Sequence, residues 1–172
     1  MQGNKFYFDN DALVCMGKNR YKRVGDVRVG DRIWIEYGIS GVVAKTERMM
    51  RHDMMRVNTN IVQVAVSKNC EIYVTRGYKR VDMLDVTDTY MNFFMIGYFL
   101  PGKKPRTIKA ETHCTYILIA CDEEFRESII VNNFKFRGNC IDATKTPVEI
   151  EKKEPRKVKR IGVLPRTIID KV

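Results

Sequence analysis

The sequence predicts an all-β fold followed by an extended C-terminal arm. Three observations predict it: short runs rich in Val, Ile, Thr and Tyr recur along residues 1–146, turn-forming residues separate many of them, and helical periodicity is weak throughout. The 172 residues suffice for one domain to bury a core without disulfide or metal staples. A balance of 44% hydrophobic to 30% charged residues is that of a globular body rather than a disordered chain.

In chain order, the strand-like runs are residues 12–16, 32–37, 41–45, 61–66, 71–74, 115–120 and 128–131. Gly17-Lys18-Asn19, Gly25-Asp26, Gly30-Asp31, Lys68-Asn69 and Pro101-Gly102 supply the residues that tight turns require. Val24, Val27, Val29 and Ile33 set apolar side chains around the two Gly-Asp turns, so the chain is expected to double back there as a hairpin. In the run 61–66, Val62, Val64 and Val66 fall on one face and Gln63 and Ala65 on the other, which suits a strand with one buried side. Residues 88–100 read as a buried strand pair or a short helix running into Pro101, the strand pair being preferred. The prolines and cations of residues 101–106 mark a solvated loop between two halves of the body. No repeat of solenoid length is expected. Residues 147–172 hold Pro147, Pro155 and Pro165, a basic run and almost no aromatic side chain, so they cannot build a core and form the arm.

The formal charge of +10 favours acidic partners, whether nucleic acid, an anionic membrane surface or an acidic protein face. No stretch has the roughly 18 apolar residues of a spanning helix, and the first residues lack the order of a signal peptide. Cys15, Cys70, Cys114, Cys121 and Cys140 are odd in number and contain no CxxC pair, which argues against a disulfide framework and a zinc ribbon and for thiols in a reducing, cytoplasmic compartment.

Three segments carry a family resemblance. The first is Tyr7-Phe8-Asp9-Asn10-Asp11-Ala12-Leu13-Val14 followed by Arg23-Val24-Gly25-Asp26-Val27-Arg28-Val29-Gly30-Asp31-Arg32-Ile33. The second is Glu71-Ile72-Tyr73-Val74-Thr75-Arg76-Gly77-Tyr78, and the third Asn133-Phe134-Lys135-Phe136-Arg137-Gly138-Asn139-Cys140-Ile141-Asp142-Ala143. In order and rough spacing they resemble the blocks of Hint domains, the β-rich module of inteins and hedgehog autoprocessing domains. The resemblance implies a compact body over residues 1–146 with a pseudo-symmetric pair of curled hairpins.

The resemblance also implies where chemistry would sit. The family opens with Cys or Ser, whose thiolate or alkoxide attacks the preceding carbonyl; here that position is Tyr7, whose phenol, with a pKa of about 10, is held off its own backbone by a rigid ring. The histidine of the block "T-x-x-H", which protonates the leaving amide, is matched by Tyr78. The closing His and Asn are matched by Asp142 and Ala143. With those positions degenerate, no catalytic residue, cofactor or metal is expected, and the reading is a scaffold that binds or assembles.

Other segments offer contact surfaces. In the arm, Arg156, Lys157, Lys159 and Arg160 precede the apolar anchors Ile161, Val163, Leu164, Ile168 and Ile169, a pattern that suits strand addition to a neighbouring protein; a disordered tail is the alternative. A small basic body with such an arm, and without the flanking segments that self-splicing joins, suits a minor component of a virus particle. Lys18, Arg20, Tyr21, Lys22 and Arg23 could place cations on phosphates and a ring on a base, against the plainer reading of a solvated turn. The Met-rich stretch 48–56 is a contact surface or core packing. His113, Cys114, Cys121 and Cys140 match no zinc spacing. The other function classes left open are residual self-cleavage near Cys15 or Cys140 and a basic β module on nucleic acid.

Overall fold

The computed structural model describes residues 5–18, 20–36, 38–60, 63–75, 77–92, 95–99, 104–122, 129–135 and 139–141. Its strands are β1 (Tyr7–Asp9), β2 (Leu13–Gly17), β3 (Arg20–Arg23), β4 (Arg32–Glu36), β5 (Ile39–Arg51), β6 (Met55–Asn58), β7 (Gln63–Val66), β8 (Glu71–Val74), β9 (Gly77–Arg80), β10 (Thr89–Asn92), β11 (Met95–Tyr98), β12 (Arg106–Thr107), β13 (Thr112–Asp122), β14 (Ile129–Asn133) and β15 (Cys140–Ile141). The largest sheet runs β12-β6-β7-β1-β13-β5-β4, with β14 also on β13. A second runs β11-β10-β8-β9, and a third β15-β2-β3.

Two parts of the chain are built alike. Tyr21-Lys22-Arg23-Val24 recurs as Tyr78-Lys79-Arg80-Val81, and each copy closes a hairpin, β2–β3 or β8–β9, before entering a 3-10 turn, Val24–Asp26 or Val81–Met83. The valine N–H donates across the hairpin base in both, Val24 to the Ala12 carbonyl and Val81 to the Cys70 carbonyl, each at 2.8 Å. Val27 and Leu84 then donate back to the Val24 and Val81 carbonyls at 3.1 and 3.2 Å. A carboxylate closes each loop: Asp31 accepts from the Arg28 N–H and the Lys22 ammonium at 2.9 and 2.8 Å, and Asp88 from the Asp85 N–H and the Lys79 ammonium at 2.8 and 2.9 Å. This is the pseudo-symmetric pair of hairpins that the resemblance implies.

The copies share one core. Val14, Val24, Val27 and Ile33 of the first pack in the same buried cluster as Ile72, Val81, Leu84 and Tyr90 of the second, with Phe8 at 5.4 Å from Phe134 between ring centroids. A smaller cluster, Tyr7, Met54, Ala65, Cys114 and Tyr116, lies apart from it. Asn139 ties the third sheet to β4, accepting from the Cys15 N–H and donating to the Trp34 carbonyl. At the edge of the second sheet, the Tyr98 N–H donates to the Asn60 Oδ1 at 2.8 Å and the Asn60 N–H to the Tyr98 carbonyl at 3.1 Å.

Several expectations are corrected. The expected hairpin across residues 24–33 lies earlier, as β2–β3, and Val24–Asp26 is a 3-10 turn. Val29 is 65% exposed, because Gly30 at φ 97° and the Asp31 N–H bond to the Arg28 carbonyl turn the chain tightly there. Ala65 is as buried as Val64 and Val66, since the smaller cluster covers the second face of β7. Residues 88–100 contain the preferred strand pair, β10–β11, but it is not wholly buried, since β11 is an edge strand with Ile96 and Tyr98 exposed. Pro105 is buried and Arg106 opens β12 against β6, so residues 101–106 are not wholly a solvated loop. The arm 147–172 lies outside the described residues.

Candidate functional site

β1 places Tyr7 between β7 and β13, opposite Tyr116. Its backbone is held from the loop before β8: the Tyr7 N–H donates to the Ser67 Oγ at 2.9 Å, and the Ser67 N–H donates to the Tyr7 carbonyl at 2.9 Å. Asn69 of the same loop donates from Nδ2 to the Lys5 carbonyl at 3.0 Å. The segment leading into Tyr7 is thus gripped by two side chains from one loop.

The Tyr7 ring is buried against Tyr116, 6.0 Å between centroids, and beneath the Arg51 guanidinium at 5.3 Å. Burial pushes its pKa above the usual phenol value, the Glu47 carboxylate adds to the rise, and Lys5 and Arg51 oppose it. The phenol therefore stays protonated at neutral pH.

Tyr78 is not the group at this amide. It stands exposed on β9, edge-on to Tyr73 at 5.1 Å and beneath the Lys135 ammonium at 4.7 Å. The loop that does hold this amide is Ser67-Lys68-Asn69-Cys70, in which Ser67 Oγ accepts from the Tyr7 N–H and Cys70 is wholly buried. The repeated Tyr-Lys-Arg-Val is the signal that finds it. The bonds set Ser67 to Cys70 against Asp9 to Ala12, one residue off the spacing of the repeat because the β2–β3 register shifts between Cys15 and Gly17: Ala12 donates to the Asp9 carbonyl and Cys70 to the Ser67 carbonyl, each at 3.0 Å.

Of the closing block, Phe134 packs on Phe8, and Cys140 and Ile141 pair with Val14 and Leu13. Asp142 and Ala143 lie outside the described residues, as do the arm positions Arg156, Lys157, Lys159, Arg160, Ile161, Val163, Leu164, Ile168 and Ile169.

The basic stretch is partly spent. Lys22 is paired with Asp31, Arg23 with Asp11 at 3.0 Å, and burial of Tyr21 raises its pKa, which leaves Lys18 and Arg20 as the exposed cations. In the Met-rich stretch, Met49 and Met50 are exposed and Met54 is buried, so both readings of it hold in part. Arg48 donates to the Gly25 carbonyl at 2.6 Å and the Val27 carbonyl at 2.9 Å, holding the first 3-10 turn.

Cys15, Cys70 and Cys114 are buried thiols outside any disulfide. Burial raises Cys15, and it pushes Cys114 up to about 11, the nearby Arg51 lowering it only in part. His113 faces solvent from the strand that buries Cys114, so strand alternation separates the two. Among the described residues no group of three or more His, Cys, Asp or Glu side chains converges to hold a metal ion, and no helix is long and apolar enough to cross a membrane.

No family model and no curated protein matches the chain. Solved structures do. The chain is similar to a DnaB intein from Synechocystis sp. PCC 6803 at 13% identity, with 74% of this chain and 98% of that one covered and a TM-score of 0.57. It is similar to the MchDnaB-1 intein at 14% identity, covering 77% and 96%, with a TM-score of 0.55. The gp41-1 intein matches at 12% identity over 74% and 97%, with a TM-score of 0.53. At these identities the likeness is one of fold, and the fold is the Hint fold of inteins.

Proposed function

We propose, taking the Hint fold as the premise, that this chain is a scaffold without self-cleaving chemistry that serves as a structural or interaction protein in a larger assembly. The observation that carries the reading is the phenol of Tyr7 at the head of β1, with its amide on Ser67; on this reading Ser67-Lys68-Asn69-Cys70 takes the part of the "T-x-x-H" block in place of Thr75 to Tyr78, with Cys70 where the family has histidine. A self-cleaving machine needs a flexible nucleophile that reaches the preceding carbonyl and a proton donor titrating near neutrality. The Tyr7 ring is clamped by Tyr116 and Arg51, and burial raises its pKa further from neutrality.

The reading extends to partners and place. Other proteins of an assembly are the partners, reached through the arm, and the positive charge, small size and missing chemistry suit a minor component of a virus particle. Buried thiols outside any disulfide suit a reducing compartment. Nucleic acid is the weaker partner, because Lys22 and Arg23 are already paired.

Intact mass spectrometry after prolonged incubation with a small thiol tests the chemistry. The full-length mass alone is expected; a shorter product would overturn the reading in favour of residual autoprocessing. The assignment of positions has its own test in Tyr7→Cys combined with Cys70→His. The new thiol attacks the Phe6 carbonyl carbon, the bond to the residue 7 nitrogen breaks as that nitrogen takes a proton, and added thiol releases residues 1–6 as a thioester. Failure of the double variant to lose residues 1–6 would sink the placement of Ser67 to Cys70.

A further inference from the structure

The two 3-10 turns share a backbone but not a clamp. In the first, the Gly25 and Val27 carbonyls receive the Arg48 guanidinium. Their counterparts in the second are the Asp82 and Leu84 carbonyls, and no donor among the described residues reaches either one. Around them Met83 is 65% and Val86 44% exposed. The charge also differs: where the first turn has Gly25 and Arg28, the second has Asp82 and Asp85. Arg80 already takes the Asp82 carboxylate at 2.7 Å, whereas among the described residues the Asp85 carboxylate accepts only the Thr87 N–H, at 3.4 Å.

We infer that the turn from Asp82 to Val86 is a receptor for an arginine flanked by apolar residues, and that a second copy of this chain supplies it from the Arg156 to Leu164 segment of its arm. This rests on the scaffold reading and names its partner and surface. The first turn shows, within the same molecule, how a guanidinium fits this pair of carbonyls. The arm segment joins Arg156, Lys157, Lys159 and Arg160 to Ile161, Val163 and Leu164, which complements the Asp85 carboxylate and the exposed Met83 and Val86. Residues 142–155 span about 45–50 Å when extended, ample to reach a neighbour. Arm to turn is a head-to-tail contact, which joins copies into rings or filaments.

Sedimentation velocity of the full-length, uncut chain over a range of concentrations at low salt tests the inference. Self-association is expected, and Asp85→Arg with Met83→Glu on the turn should raise its Kd roughly tenfold or more, given the strength of charge-assisted hydrogen bonds. Arg156→Glu with Arg160→Glu should do the same without touching the folded body. Mixing the turn variant with the arm variant should restore association, because each mixed pair retains one intact turn and one intact arm. A chain that stays monomeric at every concentration overturns the inference, as does association that neither pair of substitutions weakens. Either result leaves the intact-mass test of self-cleavage untouched, so the two readings fail separately.

Discussion

In the first half of the molecule, the turn after the hairpin carries a glycine and is held by an arginine from β5; in the second half, the same turn carries an aspartate and faces solvent. The glycine has a local cause. A Cβ at Gly25 would sit 2.9 Å from the Asn10 Cβ, and Asn10 is fixed by the Thr115 hydroxyl, which donates to its Oδ1 at 2.6 Å. The backbone of the curled hairpin is therefore set by what both halves keep: a buried valine, an aspartate that closes the loop and a lysine that pairs with it. What each half does is set by the residues that differ.

The comparison can be broken most forcefully at the shared core. Ile33 and Tyr90 hold equivalent positions, both wholly buried, so Ile33→Ala and Tyr90→Ala should each cost about 2–5 kcal/mol. Denaturant unfolding should remain a single transition, because one cluster holds both halves; two transitions would show that the halves fold apart. Next comes Gly25→Ala, expected to cost about 1–3 kcal/mol through the clash with Asn10, against less than about 0.5–1 kcal/mol for Asp82→Ala, which removes an ion pair at the surface. Equal costs at the two sites, measured by thermal unfolding, would contradict the close approach at Asn10.

The loop-closing aspartates should behave alike. Asp31→Ala and Asp88→Ala each remove a backbone acceptor and a lysine partner, an expected loss of about 1–2 kcal/mol in each half. The smallest difference is one of pH. Burial raises the pKa of Asp9, so the native state holds its proton more tightly than the unfolded chain, and stability should fall as pH rises from the ordinary carboxyl value to the raised one. Its counterpart in the second half is Ser67, which has no charge to lose. Asp9→Ser should abolish that decline in a pH series of unfolding curves, while Asp53, held low by Arg51, still adds stability that is full above the ordinary carboxyl value and lost as pH falls from there to its lowered pKa.

Much of the fold was legible in the sequence, for reasons that show in particular strands. β8 coincides with the run read at residues 71–74, where Ile72 and Val74 face the core between polar neighbours. β3 and β9 were not legible as strands, since Arg20-Tyr21-Lys22-Arg23 and Gly77-Tyr78-Lys79-Arg80 are dominated by cations and carry no alternation of apolar residues. Tyr7 was legible as a candidate; the loop that holds its amide was not. Ser67 and Asn69 act on backbone groups far away in sequence, and a serine, a lysine, an asparagine and a cysteine carry no periodicity. The repeated tetrapeptide was the available signal, and at four residues it falls below the length at which solenoid repeats are sought.

Asn60 closes the edge of the second sheet at Tyr98 with one side-chain oxygen and one backbone N–H. Those two groups stand where the next strand of a growing sheet would bond, beside the exposed rings and branches of Tyr98 and Ile96. The Asn60 carboxamide and backbone N–H together thus act as a stopper on sideways growth at that point of the sheet.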